Sequence, residues 1–280
     1  MDYAAPPELA ATMIAAGESK TRLSIKDMVI RGFYSGGLLS MATTMAVTMM
    51  VQTKIPILGA IIFPWGFVSI VMFGMELVTG NFALMTAAML AGRVRFSMAL
   101  RNWLWVYFAN FLGCLVIGGL IAYSLTDAGT IAPNAVGEKI MAIAVSKSVA
   151  VREMGANGFL LFIVRAILCN WLVCLAVMFG LVSKSVPGKI LGCWLPIMAF
   201  VALGLEHIVV NMFFITVGMM LGAPITGVDM VLWDFIPVTI GNLIGGGFFV
   251  GTLIYFTHAQ KQPSPPQKLE DIVSRTPVHR

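Results

Sequence analysis

Apolar residues dominate six stretches of the chain, roughly 29–52, 58–92, 102–125, 158–182, 190–222 and 233–257, and polar residues gather between them. A helix that crosses a bilayer needs about 20 consecutive apolar residues. The pattern therefore predicts an all-α polytopic membrane protein with six transmembrane helices. Two stretches exceed the rule. Residues 58–92 number 35 and residues 190–222 number 33, and each carries the same polar interruption, GMELVTGN at 74–81 and GLEHIVVN at 204–211. Both octets have Gly first, Glu third and Asn eighth. The second and fifth spans are thus predicted to break near Gly-x-Glu into two shorter helical pieces each.

The interruption belongs to a longer repeat. The octets start 130 residues apart, and each is followed by a span with a matching signal, YFANFLG at 107–113 and TIGNLIG at 239–245. Three spans per half, about 29–125 and 158–257, is an odd number, so the second half sits upside down relative to the first. Folds built on such inverted repeats place their site near the midplane, at broken helices from both halves. Irregular backbone survives at that depth only where protein or a water-lined cavity satisfies its amides and carbonyls. Glu76 and Glu206 are the expected acceptors for amides of the broken segments, with Asn81, Asn211, Asn110 and Asn242 bracing neighbouring backbone.

The ends of the chain differ from this core. Residues 1–28 are polar or Ala-rich, with no basic region leading into a short apolar stretch and cleavage site, so the amino terminus is expected to be kept. Within them, Leu9, Met13 and Ile14 predict a short amphipathic helix between Pro6 and Leu23. It is expected to lie on the membrane surface, with capping of a pore as the alternative. Residues 258–280 include QPSPPQ and scattered charges, too little apolar content to fold, and read as a disordered cytoplasmic tail.

Composition supports the membrane reading: 11% of residues are charged and the mean hydropathy is +0.90, against roughly 25% charged residues in soluble domains. With the amino terminus inside, 13 Lys and Arg fall on the cytoplasmic face and four, Lys54, Lys139, Lys147 and Arg152, on the other, with Arg165 inside the fourth span. Basic loops stay cytoplasmic, so both termini are placed there and the chain in the inner (cytoplasmic) membrane. Topology accounts for the net charge of +5, and no nucleic-acid partner is required. Cys114, Cys169, Cys174 and Cys193 all fall in spans and read as small apolar side chains rather than a disulfide framework.

Candidate chemistry lies where the octets differ. The first has Leu77, Val78 and Thr79 after its Glu, the second His207, Ile208 and Val209. His207 is the only histidine inside a span, and ionisable groups at membrane depth are functional candidates by default. Thr79 is the weaker candidate, because a threonine hydroxyl commonly bonds its own helix backbone.

GMELVTGN, CNWLVCLAV at 169–177, GLEHIVVNMF at 204–213 and IPVTIGNLIGGG at 236–247 together resemble the formate/nitrite transporter family of microbial anion channels, over roughly residues 8–257. The resemblance implies an aquaporin-like fold of six spans assembled as a homopentamer, one pore per subunit, with no cofactor or metal. It implies that His207, Thr79 and Asn170 line the pore, with Glu206 and Asn211 supporting the histidine. Apolar constrictions would come from Phe67 and Leu77 towards the cytoplasm and from Phe63, Val173 and Phe200 towards the outside. A vestibule lysine also belongs to the pattern. Lys147 is the candidate, 23 residues before Asn170, with Arg152 or a plain solvated charge as the competing readings.

Physical chemistry then favours a weak acid as cargo. Moving a bare carboxylate into low dielectric costs several kcal/mol even after relaxation, whereas protonating an acid of pKa about 4 at pH 7 costs roughly 4 kcal/mol. The stretch IPVTIGNLIGGG resembles formate channels more than nitrite channels, so the resemblance implies formate as the first cargo, with nitrite and hydrosulfide as family alternatives, moved as or with a proton. Competing readings are a passive channel for neutral polar solutes and a transporter with large rocking motions. An intramembrane enzyme is not expected: there is no Gly-x-Ser-x-Gly turn, and one histidine is too few for a bis-histidine haem.

Overall fold

The computed structural model describes residues 2–259; the tail expected over 258–280 lies almost wholly outside them. The chain is helical from end to end of this range. In order come α1 (Pro6–Thr21), α2 (Ile25–Thr53), α3 (Pro56–Ile62), α4 (Pro64–Met72), α5 (Val78–Leu90), α6 (Phe96–Leu125), α7 (Ala135–Lys147), α8 (Val149–Glu153), α9 (Ala156–Val182), α10 (Val186–Ala202), α11 (Ile208–Met220) and a last helix, Gly227–Ala259. Of these, α6, α9 and the last helix are long and apolar enough to cross a membrane, and Pro56–Met72, α5, α10 and α11 form shorter apolar segments.

Local sequence explains the boundaries. Ser24 caps α2, its hydroxyl accepting from Asp27 N at 3.1 Å, and Asn134 caps α7 by accepting from Val136 and Gly137. Within Pro56–Met72, Pro64 has no N–H with which to continue the bonding of α3 and so marks the start of α4. The shared glycine of each octet ends the helix before it. Gly74 and Gly204 both have φ of 64°, and the residues after them, Met75 and Leu205, bond back to Ile70 O and Phe200 O at 2.9 and 3.1 Å. That pairing caps the last carbonyls of α4 and α10 with a left-handed residue, for which glycine is suited. Gly204→Ala is expected to cost about 1–2 kcal/mol of stability, measured by thermal unfolding in detergent against Gly227→Ala, where a Cβ meets open space.

Glycine also sets how closely the helices approach. A Cβ on Gly36 would stand 2.1 Å from Asn110 O, and one on Gly113 2.1 Å from Phe33 O, so α2 and α6 meet backbone to backbone. The other half repeats the device: Gly241 and Gly245 of the last helix press on Ile163 O and Ile167 O of α9. Small residues at such crossings are what permit van der Waals contact between helices in an apolar solvent. The last helix winds in wider π-type turns over Val231–Phe235 and Ile244–Thr252.

Two features depart from the hydropathy pattern. The segment between the third and fourth apolar runs contains α7 and α8, which apolar periodicity does not predict. The amino-terminal helix is not idle on a surface either. Met13 is fully buried, Gly17 lies under Leu84 O of α5, and Lys20 Nζ reaches Glu76 Oε1 at 2.6 Å. The residues leading into it are tied down by Ala4 N to Val182 O at 2.8 Å and Lys184 N to Asp2 O at 3.0 Å.

Candidate functional site

The turns that end α4 and α10 each release a second short helix, α5 and α11, whose first residues are buried. Helix N-termini present N–H groups and partial positive charge. At this place the two mismatched residues of the octets meet: Thr79 Oγ1 is 3.0 Å from His207 Nε2. His207 also caps α11, its Nδ1 accepting from Val210 N at 3.3 Å. With Nδ1 used as an acceptor, a neutral ring carries its proton on Nε2 and donates to Thr79. The threonine hydroxyl thus serves the other half of the molecule rather than its own helix.

The remaining predicted residues gather around this contact. Phe200 stacks on the His207 ring with centroids 5.8 Å apart, and Phe63 meets Phe200 edge-on at 5.7 Å. Asn170 donates to Thr79 O at 3.1 Å and Asn242 O at 2.6 Å, leaving its carboxamide oxygen without a partner. Val173, one turn along α9, is fully buried. Leu77 is the residue before α5, and together with Phe67 it lines a cavity that also holds Lys20.

The supports differ from expectation in an instructive way. Glu76 and Glu206 do not accept from backbone amides of the broken segments, and the Glu206 carboxylate does not support His207. Each carboxylate instead takes a lysine and an asparagine: Glu76 takes Lys20 at 2.6 Å and Asn81 Nδ2 at 2.8 Å. Glu206 takes Lys147, and Asn211 Nδ2 at 2.8 Å. An ammonium neutralises a buried carboxylate where a backbone amide only solvates it, so the lysine wins. The backbone is braced by the other asparagines. Asn110 accepts from Val78 N at 3.1 Å and donates to Glu76 O and Gly32 O at 2.9 Å each. Asn242 accepts from Ile208 N and donates to Glu206 O and Ala166 O, all at 2.9 Å.

Three polar partners escaped the sequence reading. Lys20 is one; Asn102, which accepts from Asn81 Nδ2 at 2.8 Å, is the second; Asp234, which accepts from Asn211 Nδ2 at 2.8 Å, is the third. Their signal was the repeat itself, since Asn102 and Asp234 stand as far apart as Asn110 and Asn242. Between the two candidates for the vestibule cation, Lys147 is the one joined to Glu206; Arg152 pairs with Asp229 at 2.6 Å.

Two cavities are lined in part by residues of the octets, one by each. One, of about 330 Å³, is lined by Lys147, Glu206, Arg165, Phe63, Phe200 and Phe214, with the Lys147 ammonium 5.9 Å over the Phe214 ring. The other, of about 220 Å³, is lined by Lys20, Phe67, Leu77 and Asn81. Each cavity therefore holds a lysine whose ammonium is paired with an octet glutamate.

Known proteins share this fold. The sequence profile of the formate/nitrite transporter family matches residues 7–256. The formate channel BtFdhC of Bacillus thuringiensis is 34% identical over 270 residues, covering 94% of this chain and 99% of that protein. Among solved structures, an FNT family ion channel superposes with a TM-score of 0.77 at 21% identity, over 89% of this chain and 98% of that one. A pentameric formate channel with formate bound superposes with a TM-score of 0.69 at 24% identity, over 84% and 98%. The fold is that of these channels, the protein is a multi-pass membrane protein, and the chain belongs to the formate/nitrite transporter family.

Proposed function

We propose that the protein is a channel for small monovalent weak acids, formate first, which cross its apolar constrictions in the neutral form. The observation that carries this reading is the His207–Thr79 contact at 3.0 Å, made between two octets that each also line a cavity holding the lysine paired with that octet's glutamate. A monoanion gathers at the lysine of either cavity, where attraction to a partly desolvated ammonium offsets lost hydration. Phe63, Phe200 and Val173 on one side and Leu77 and Phe67 on the other offer it no counter-charge. Protonation, at roughly 4 kcal/mol for an acid of pKa about 4 at pH 7, is cheaper than carrying the charge through.

Each polar group between the constrictions has a use in this scheme. The unpartnered Asn170 carboxamide oxygen accepts the O–H of a neutral acid, and the Nε2–H of His207, turned from Thr79, donates to its carbonyl. The converging N-termini of α5 and α11 stabilise any transient negative charge there. The proton comes from water or through His207. We further assign six crossings with the second and fifth broken, both termini in the cytoplasm, the cavity at Lys147 facing outward, and a homopentamer in the inner membrane with one pore per subunit. Nitrite and hydrosulfide share the relevant chemistry and remain family alternatives.

Proteoliposome fluxes of formate, nitrite, hydrosulfide, acetate and lactate at two pH values test the reading. Formate is expected to move fastest of the three carboxylates, being the smallest, with a proton accompanying it and the rate rising as pH falls. His207→Asn is expected to reduce flux at least tenfold and flatten its pH dependence. Equal passage of a neutral polar solute without proton movement would instead support a passive pore, and unchanged flux in the variant would remove His207 from the path.

A further inference from the structure

The two halves differ at one more buried position. Asn102 and Asp234 receive the same bond, from Asn81 Nδ2 and Asn211 Nδ2 respectively, each at 2.8 Å, and neither is exposed to any measurable degree. In the first half the far end of the side chain is an amide, which finds Lys20 O at 3.4 Å and Met28 Sδ at 3.6 Å. In the second it is a carboxyl oxygen, Asp234 Oδ1, with no hydrogen-bond partner, and Asn211 Oδ1 beside it has none either.

Among the described residues no cation is bonded to it. Lys147 is committed to Glu206. On the last helix itself Asp229 is held by Arg152 of α8 and by Thr226. Other ionisable groups on packed elements are Glu153 of α8, Arg165, Cys169 and Cys174 of α9, and Arg101, Cys114, Tyr123 and Tyr107 of α6, the last with its hydroxyl bonded to Thr239 at 3.1 Å. The helix α11 contributes no charged side chain. Among the described residues, then, the only hydrogen-bond partner of the Asp234 carboxyl is a neutral amide, and Glu206 already shares that amide. A buried carboxyl whose one bond comes from a neutral amide lacks the pairing that buried charges ordinarily have.

We infer that Asp234 is the proton-holding group of the Lys147–Glu206–Asn211 network, and that its ionisation sets the charge presented to an anion in the Lys147 cavity. The inference rests on the weak-acid reading above. With the proton on Asp234, the Lys147 ammonium and Glu206 carboxylate cancel. When that proton passes to cavity water, the network carries one negative charge. Lys147 is then held more strongly from below and an arriving monoanion is repelled. Flux from that side consequently falls with rising pH more steeply than the fraction of protonated acid alone requires.

Asp234→Asn installs the side chain that the first half already accommodates, and Asp234→Glu keeps the carboxyl as a control. Formate flux is measured in proteoliposomes with pH varied on the Lys147 side, and infrared spectra of the same proteins are recorded in H₂O and D₂O. The wild type is expected to show a carboxylic-acid carbonyl band sensitive to deuteration, absent from Asp234→Asn. That variant should match the wild type at acid pH and exceed it several-fold at alkaline pH, while Asp234→Glu keeps the steep profile. A band retained in Asp234→Asn, or pH profiles that superimpose, would overturn the inference. If the wild type carries no formate, the weak-acid reading fails on its own, and the infrared band still decides whether Asp234 holds the proton.

Discussion

Asn242→Leu is expected to destabilise the protein by roughly 3 kcal/mol or more, taking about 1–3 kcal/mol for each buried polar group left unpaired. The substitution preserves approximate volume and removes three bonds of 2.9 Å at once. Ile208 N and Glu206 O lie in the turn between α10 and α11, where no regular helix bond replaces what Asn242 supplies. Ala166 O belongs to the interior of α9 and keeps its helical partner, so its loss is the smallest of the three. Asn110→Leu should cost a similar amount, because it holds Val78 N, Glu76 O and Gly32 O in the same manner. Asn242→Asp keeps an acceptor for Ile208 N and should fall between. Unfolding in detergent, followed for all three, gives the comparison; a loss below about 1 kcal/mol in both leucine variants would mean that water already satisfies the turns.

These turns also show how far the sequence could be read. Gly74 and Gly204 were visible as paired interruptions because a positive φ favours glycine and because an octet repeated at 130 residues is hard to miss. The pairing of Thr79 with His207 was foreshadowed by their being the polar mismatches in the repeat. What each carboxylate bonds was not legible. A glutamate beside a backbone break fits either a backbone or a lysine partner, and the choice of Lys20 depends on α1 being wedged against α5 by Met13 and Gly17. Lys147 reaches Glu206 only because it ends α7, a helix whose apolar residues are too interspersed with Glu138, Lys139 and Lys147 to register as a buried stripe. Asn134 before Val136, with Glu138 in the first turn, was the usable sign of that helix.

The Lys147–Glu206 pair should separate stability from capture. Its side chains are 14% and 4% exposed, so each is partly stripped of water and depends on the other. Removing one member of a buried pair typically costs about 3–5 kcal/mol, because the remaining charge is left uncompensated. Glu206→Gln strands the ammonium over the Phe214 ring, and Lys147→Met leaves Glu206 with the Asn211 amide as its remaining side-chain partner. The double variant Lys147→Met/Glu206→Gln removes both charges, and its stability is expected to lie above that of either single variant. A double-mutant cycle in detergent unfolding measures the coupling. Transport should not follow the same order. The double variant lacks the cation that concentrates a monoanion in the 330 Å³ cavity, so its formate flux at low substrate should stay as poor as that of Lys147→Met despite the regained stability. Recovery of both together would show that Lys147 only holds the turn in place, and recovery of neither would place the pair's value in its bond to Asn211 rather than in its charges.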